Sequence, residues 1–416
     1  MQRIRFAQFL LMFVSAVAFA GEESRLTLAD AERLWQSHSR ELKIARTDVA
    51  GAESDVLSAE AAPNPQLSVS TLSISPWEGV GGGGLREKRM DSVFRIDQLI
   101  ERGGKRELRT RAAESRLEAA RRTAVDIERQ QRIAFRQAYF DLLLAQERLR
   151  IADDMAALQA HGLDAGKIRL KAGDIAPADV SRLSVERQRA DNEARQAKAD
   201  LEKTRMALAY LIGREREAQQ LVAEDEWPVL SEGALSRDPD FERRPDVLAA
   251  KARLDAAEHA RDLARAQRTR DVTVGVQYEH NLQNRPTNSY GVGVSMPLFV
   301  RNTYDGEIGR AEAELDAARE MHERTIALAR SEVAQARSDL LASSDRRQRF
   351  ERVLLADARR VVDAAEFAYR KGAAGLMDLL DARRTWRQVQ LEAAQARADH
   401  ARALAAWQLT SIQDQP

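Results

Sequence analysis

The segment Tyr369-Arg-Lys-Gly372-Ala-Ala-Gly375-Leu-Met-Asp378-Leu-Leu-Asp381 fixes how the helices of this chain connect. It interrupts about a hundred residues of sequence rich in Ala, Arg, Glu, Leu and Gln, the composition of long helices. Gly372 and Gly375 are expected to turn the chain back, because glycine alone takes positive φ without steric cost. Asp378 and Asp381 then fall in the first turns of the next helix, where carboxylates complement the positive helix end. An earlier stretch carries the pattern in weaker form: Lys171-Ala-Gly173-Asp-Ile-Ala-Pro177-Ala-Asp179-Val, with Pro177 suited to a first helical turn. Two helix-reversing hairpins at matching places predict a duplicated architecture.

Outward from these turns the halves repeat. In the first, a helical stretch from Thr27 to about Ala61 stops at Pro63-Asn64-Pro65. Leu67, Val69 and Thr71 then alternate with Ser68 and Ser70, the two-residue period of a strand. Pro76-Trp77 and Gly81 to Gly84 read as a loop, and Phe94 and Ile96 against Arg95 and Asp97 as a returning strand. After Arg102-Gly103-Gly104-Lys105-Arg106 a helix runs to about Gly166, ~90 Å at 1.5 Å per residue. Leu142, Ala145, Leu149, Ala152 and Ala156 form a coiled-coil seam in it. A further helix, Pro177 to Ile212, follows the Gly173 turn.

In the second half, a helix from Asp246 to Arg270 precedes a strand with Val272, Val274, Val276 and Tyr278. After a loop from Asn281 to Asn288, Val292, Val294, Met296 and Leu298 return, with Pro297 near the strand end. One long helix is expected from Asp305 to Lys371, its seam at Leu354, Ala358, Val361, Ala365 and Ala368, and a last one from Leu376 to about Ile412. The expected domains are a leader (1–20), a first repeat (21–213), a linker (214–240) and a second repeat (241–416).

The 65 basic and 65 acidic residues balance, and without the leader, which carries Arg3 and Arg5, the net charge is about −2. Charge thus gives no reason to expect a nucleic-acid partner. There is no cysteine, which excludes disulfides, thiolate ligands and a cysteine-linked lipid anchor. Arg3 and Arg5, the apolar run Phe6 to Val17 and Ala18-Phe19-Ala20 read as a cleaved export signal. No other segment offers the ~20 apolar residues of a spanning helix, so a membrane form must be a β-barrel. Each strand has one apolar face and one small or polar face, the pattern of lipid outside and water inside, with Trp77, Phe94, Tyr278 and Tyr290 as interface aromatics. Four strands cannot close a barrel, and strands from several chains would; composition does not set their number. Helices of ~90–100 Å exceed the ~30 Å hydrocarbon core and must extend into the periplasm.

This arrangement closely resembles the TolC-like outer-membrane factors of tripartite efflux pumps, over essentially the whole mature chain. Tyr369, Gly372, Asp378 and Asp381 match the family's periplasmic-tip motif, with Gly173 to Asp179 as the first-repeat counterpart. Gly103-Gly104-Lys105-Arg106 together with Pro63-Asn64-Pro65 resembles the cobalt–zinc–cadmium resistance branch. The resemblance implies a mainly α fold with a homotrimeric twelve-stranded outer-membrane barrel in lipid and an α-helical periplasmic tunnel. It implies a passive exit duct that docks to a periplasmic adaptor and an inner-membrane, proton-driven pump, here for divalent heavy metals. It further implies that Asp179 bonds Tyr369 to hold the tip closed, and that Asp378 and Asp381 line the constriction. The basic residue of a second closing link falls at Ala374, so that link is absent or made differently, with Arg370 or Arg383 as candidate substitutes.

Helix-start carboxylates facing solvent are the plainer reading of Asp378 and Asp381. The six histidines, among them His161, His259, His280 and His322, show no paired ligand spacing and are expected at the surface. No metal site, cofactor or enzyme activity is expected, since there is no nucleophile motif, phosphate loop or His–carboxylate cluster. The rival functions are a multidrug or type I secretion channel on the same fold and, from a different class, a soluble periplasmic coiled-coil scaffold.

Overall fold

A computed structural model describes residues 24–72, 90–230, 240–281 and 287–411. The leader, the loop with Trp77 and Gly81 to Gly84, and Ser236 to Pro239 lie outside these. In chain order the elements are β1 (Ser24–Leu26), α1 (Leu28–His38), α2 (Arg40–Glu60), β2 (Gln66–Leu72), β3 (Asp91–Ile100), α3 (Lys105–Lys171) and α4 (Pro177–Ile212). A 3-10 turn (Glu215–Gln220), β4 (Leu221–Ala223) and a short 3-10 turn (Phe241–Arg243) lead to α5 (Pro245–Ala266), β5 (Val272–Asn281) and β6 (Thr287–Ser295). Then follow α6 (Asp305–Arg349), a π turn (Phe350–Leu354), α7 (Leu355–Arg370) and α8 (Leu376–Thr410). The order helix, strand, strand, helix, turn, helix thus occurs twice. No described helix is long and apolar enough to cross a membrane.

Contacts divide the chain into two compact units, and each draws on both repeats. One comprises residues up to Ser39, Phe135–Val229 and Ser343–Arg402; the other comprises Arg40–Ala134, Leu230–Ala342 and Ala403 onward.

In the first unit the described part of the linker, up to Val229, is structured. β4 pairs parallel with β1, Leu26 opposite Ala223. Gln146 of α3 clamps Ala223 from both sides, donating to its carbonyl at 3.0 Å and accepting from its N–H at 2.8 Å. The Tyr139 hydroxyl sits between the Leu26 carbonyl and the Asp225 carboxylate, which also accepts from Leu28 N–H at 2.5 Å. Burial and the neighbouring carboxylate push the Tyr139 hydroxyl far above the usual phenol range. Trp35 is fully buried and stacks on Phe135 at 5.5 Å. Leu144 and Ile151 of α3 pack on Ala394 and Ala398 of α8, alanines that let the helix axes approach.

The second unit holds an antiparallel sheet in the order β2-β3-β5-β6. Its register aligns Leu67, Ile96, Val276 and Val292 in one row and Val69, Phe94, Tyr278 and Tyr290 in the next. Both rows lie on one face, and their large side chains stand open, Tyr290 83% and Val292 79% exposed. The three expected interface aromatics that are described form a single band, Phe94 to Tyr278 at 6.4 Å and Tyr278 to Tyr290 at 5.5 Å. At the other end of the strands, Lys105 is buried and donates to Thr269 O and Asp271, both at 2.8 Å, while Arg102 N–H donates to Asp271 at 2.9 Å. Gly103 takes φ 72 there, and a Cβ on it would strike Thr269 at 2.8 Å. The Gly-Gly-Lys-Arg segment is therefore the joint that ties the start of α3 to the start of β5.

Five expectations need correction. The first helix is broken at Ser39. α3 runs past Gly166 to Lys171, because Gly166 serves close packing: a Cβ there would meet Leu183 at 2.5 Å. β6 ends at Ser295, so Met296 and Leu298 lie beyond it, consistent with Pro297 removing a ladder donor. α5 ends at Ala266 rather than Arg270. The helix expected from Asp305 to Lys371 carries a π turn, which inserts extra residues into the period. Ala358 and Val362 downstream of it are buried, while Leu354 at its end and Val361 beyond it, both of the expected seam, stay exposed.

Candidate functional site at the helix turns

Both helix reversals use the same backbone device. Gly173 N–H donates to Leu170 O at 3.0 Å and Asp174 N–H to Arg169 O at 2.9 Å. In the second repeat Gly372 N–H donates to Tyr369 O at 3.1 Å and Ala373 N–H to Ala368 O at 2.9 Å. These are paired Schellman closures, with Gly173 at φ 81 and Gly372 at φ 76. Gly375 departs from expectation: it is not at positive φ but opens α8, and its N–H donates to the Asp378 carboxylate at 3.0 Å. Asp378 is thus a helix-start carboxylate that caps its own first turn, the reciprocal half of a capping box. Asp179, at the equivalent place in α4, instead accepts from Arg182 at 3.2 Å, and Pro177 occupies the first turn.

The turns rest on a small apolar cluster of Leu163, Leu183 and Leu380, with Val180 and Leu376 against it. Asp378 and Asp381 are both exposed. Tyr369 is half-buried, with the Arg169 guanidinium 5.3 Å from its ring centre. No hydrogen bond joins Asp179 to Tyr369 in the single chain. The structure therefore brings the second-repeat residues Tyr369, Gly372, Gly375, Asp378 and Asp381 into one turn, and Gly173 and Asp179 into its counterpart.

Apart from Arg383, the sequence reading missed the arginines of α8. Arg383 donates twice to Glu366 of α7, at 3.1 and 2.9 Å, and is thereby engaged within its own hairpin. Arg384 grips Glu186 and Arg387 grips Glu193, both on α4. Farther along, Arg397 donates to Glu147 of α3 at 2.7 Å and to Glu351 in the π turn at 3.0 Å, and Arg402 pairs with Asp141. These pairs stitch the second repeat to the first. The hydrogen bond from Arg384 holds the Glu186 carboxyl below its ordinary range. Nothing in the sequence separated these arginines from the many that pair within one helix, such as Arg182.

His400 corrects the expectation of surface histidines. It is 1% exposed, its Nδ1 lacks a hydrogen-bond partner, and burial lowers its pKa, with Arg347 beside it acting in the same direction. Among the described residues no group of three or more His, Asp or Glu is placed to hold a metal ion.

Comparison with known proteins adds identity to this geometry. The family described as "Outer membrane efflux protein" matches residues 31–214 and 241–410. The chain is 28% identical over 375 residues, 88% of its length and 85% of the relative's, to the cobalt-zinc-cadmium resistance protein CzcC of Cupriavidus metallidurans. It is also 28% identical over 269 residues to the pyoverdine export outer membrane protein OpmQ of Pseudomonas putida, covering 61% of this chain and 55% of that one. In structure it is similar to the outer membrane protein VceC of Vibrio cholerae, with a TM-score of 0.76 at 19% identity, over 92% of this chain and 96% of that one.

Proposed function

This chain belongs to the outer membrane efflux protein family, and on that premise we propose that it is the exit duct through which a tripartite system expels divalent heavy-metal cations. It resides in the outer membrane and extends into the periplasm. The observation that carries the duct reading is the sheet. One face is a continuous, exposed apolar surface with an aromatic band, and β2 and β6 each keep an open edge in the single chain. An open edge with an apolar face is stable in lipid only if other strands close it. Three copies supply twelve strands, within the range of bacterial barrels. The two repeats (21–213 and 241–416), joined through 214–240, then contribute two strands each.

The cargo assignment rests on the likeness to a cobalt-zinc-cadmium resistance protein over most of both chains. At the turns, threefold symmetry gathers Asp378 and Asp381 of each chain into six carboxylates around one opening, a ring that attracts cations. The Asp179–Tyr369 closing bond belongs to the assembled tip; in the lone chain these side chains rest on Arg182 and Arg169. Arg383, held by Glu366, is a poor substitute for the link lost at Ala374. A periplasmic adaptor and an inner-membrane proton-driven pump supply energy and select cargo.

The test is deletion of the gene in its host, with tolerance measured to zinc, cobalt, cadmium and copper salts beside organic toxicants and a siderophore-export assay. Selective loss of divalent-metal tolerance is expected. Loss confined to organic compounds or to siderophore export would keep the duct and overturn the metal assignment.

A further inference from the structure

The face of the sheet opposite the apolar rows is polar, and Arg95 is the one basic side chain on it within the described strands. Its acidic members are Asp91, Asp97 and Glu279. Arg95 does not project from the sheet. Its Nε donates to both oxygens of Asp97 at 2.9 and 2.8 Å, and Nη1 lies 3.5 Å from Gln277 Oε1. The register sets Asp97 against Gly275, Gly275 against Gly293, and Gln277 against Gly291. The ion pair therefore lies on a floor of two glycines, Gly275 and Gly293, with Gly291 beneath Gln277. A Cβ at Gly275 would fall 2.1 Å from Asp97 Oδ1 and 2.9 Å from Arg95 Nη2, and one at Gly293 3.4 Å from the same nitrogen. Glycine weakens a strand interior and marks close approach of another group. Here the approaching group is a guanidinium laid flat, its side chain 35% exposed and that of Asp97 21%.

We propose that Arg95 is a specificity-determining residue of the duct, masked by Asp97 and the glycine floor so that the wall passes cations. The inference rests on the barrel reading above, in which this face lines the lumen. Three copies set three guanidiniums at one height in the bore. While each is neutralised and flat, Glu279 leaves the wall acidic and raises the local cation concentration. Freed from Asp97, or lifted by a side chain at position 275, the same groups enter the lumen and repel the cargo.

Purified protein carrying Asp378→Asn and Asp381→Asn, so that the tip no longer sets selectivity, is recorded in planar bilayers under a calcium chloride gradient, calcium serving as the divalent probe. Adding Asp97→Asn lowers the calcium-to-chloride permeability ratio by roughly two- to fivefold, the scale of three unscreened charges at ~10 Å reduced by salt. Further adding Arg95→Gln restores the ratio. Gly275→Ala leaves every charge in place and lowers unitary conductance, and Arg95→Gln reverses that loss. Inserted trimers whose ratio and conductance ignore both Asp97→Asn and Gly275→Ala overturn the masking role and leave the duct standing. A parent protein that forms no trimer and no conductance overturns the duct reading, and this inference with it.

Discussion

At Gly372 the backbone holds φ 76, where a Cβ crowds the following carbonyl, so Gly372→Ala is strained by about 1–2 kcal/mol, and Gly173→Ala likewise. Gly375 carries no such constraint, and a Cβ there meets only Asp378 Oδ2 at 3.5 Å, an ordinary contact. Thermal melting is therefore expected to drop for the first two variants and to stay near wild type for Gly375→Ala. The sequence made the turns legible because positive φ has one cheap solution, but it could not assign which of two nearby glycines adopts it. His400 gives a pH prediction at the same scale. Its folded pKa lies below the ordinary 6.5, so the stability it contributes is complete above about 6.5 and falls as pH drops through the folded value. Melting temperature followed from pH 8 to pH 5 should fall for wild type and flatten for His400→Leu. An equal slope in the variant would assign the pH dependence to other groups.

At the scale of elements, period decided what could be read. β2, β3, β5 and β6 announced themselves through alternation, and α4 through Pro177 at one end and Gly213 at the other, which takes φ 69. The π turn left no such mark: Phe350 to Leu354 is ordinary helix-forming sequence, and its phase shift is visible only in which side chains are buried. Helix-to-helix pairing was equally hidden, since arginines and carboxylates are spread over every face. Arg384 on Glu186 is the accessible case, and a double-mutant cycle of Arg384→Ala with Glu186→Gln should give a coupling below about 1 kcal/mol, because Arg384 is 43% exposed and screened. That coupling should persist from pH 8 to 5 and fade as pH falls below the ordinary 4.5 of a glutamate, where the lowered carboxyl finally protonates. In the sheet, Val69→Arg places a charge on the apolar face and should lower trimer yield, at up to ~2–4 kcal/mol per copy near mid-membrane. Ser68→Arg, one residue away on the polar face, should leave yield unchanged.

At the scale of the molecule, duplication was legible and its consequence for compact units was not. Long helices such as α3 take part in both units, so contact boundaries fall inside α3, α6 and α8 as well as at Ser39 and within the 214–240 linker. The first part of the linker folds, because β4 finds β1, a three-residue partner too short to show a period. In the proposed duct, copies of the chain close the sheet, and no residue pattern within one chain states their number. The most direct test of the whole account is a single-channel recording of the purified, detergent-extracted protein. A heat-modifiable trimer should insert and give a small, cation-selective conductance that millimolar divalent cations block. Asp378→Asn with Asp381→Asn should abolish that block. A chain released from cells without detergent, monomeric and silent in the bilayer, would contradict the account and leave a periplasmic helical scaffold in its place.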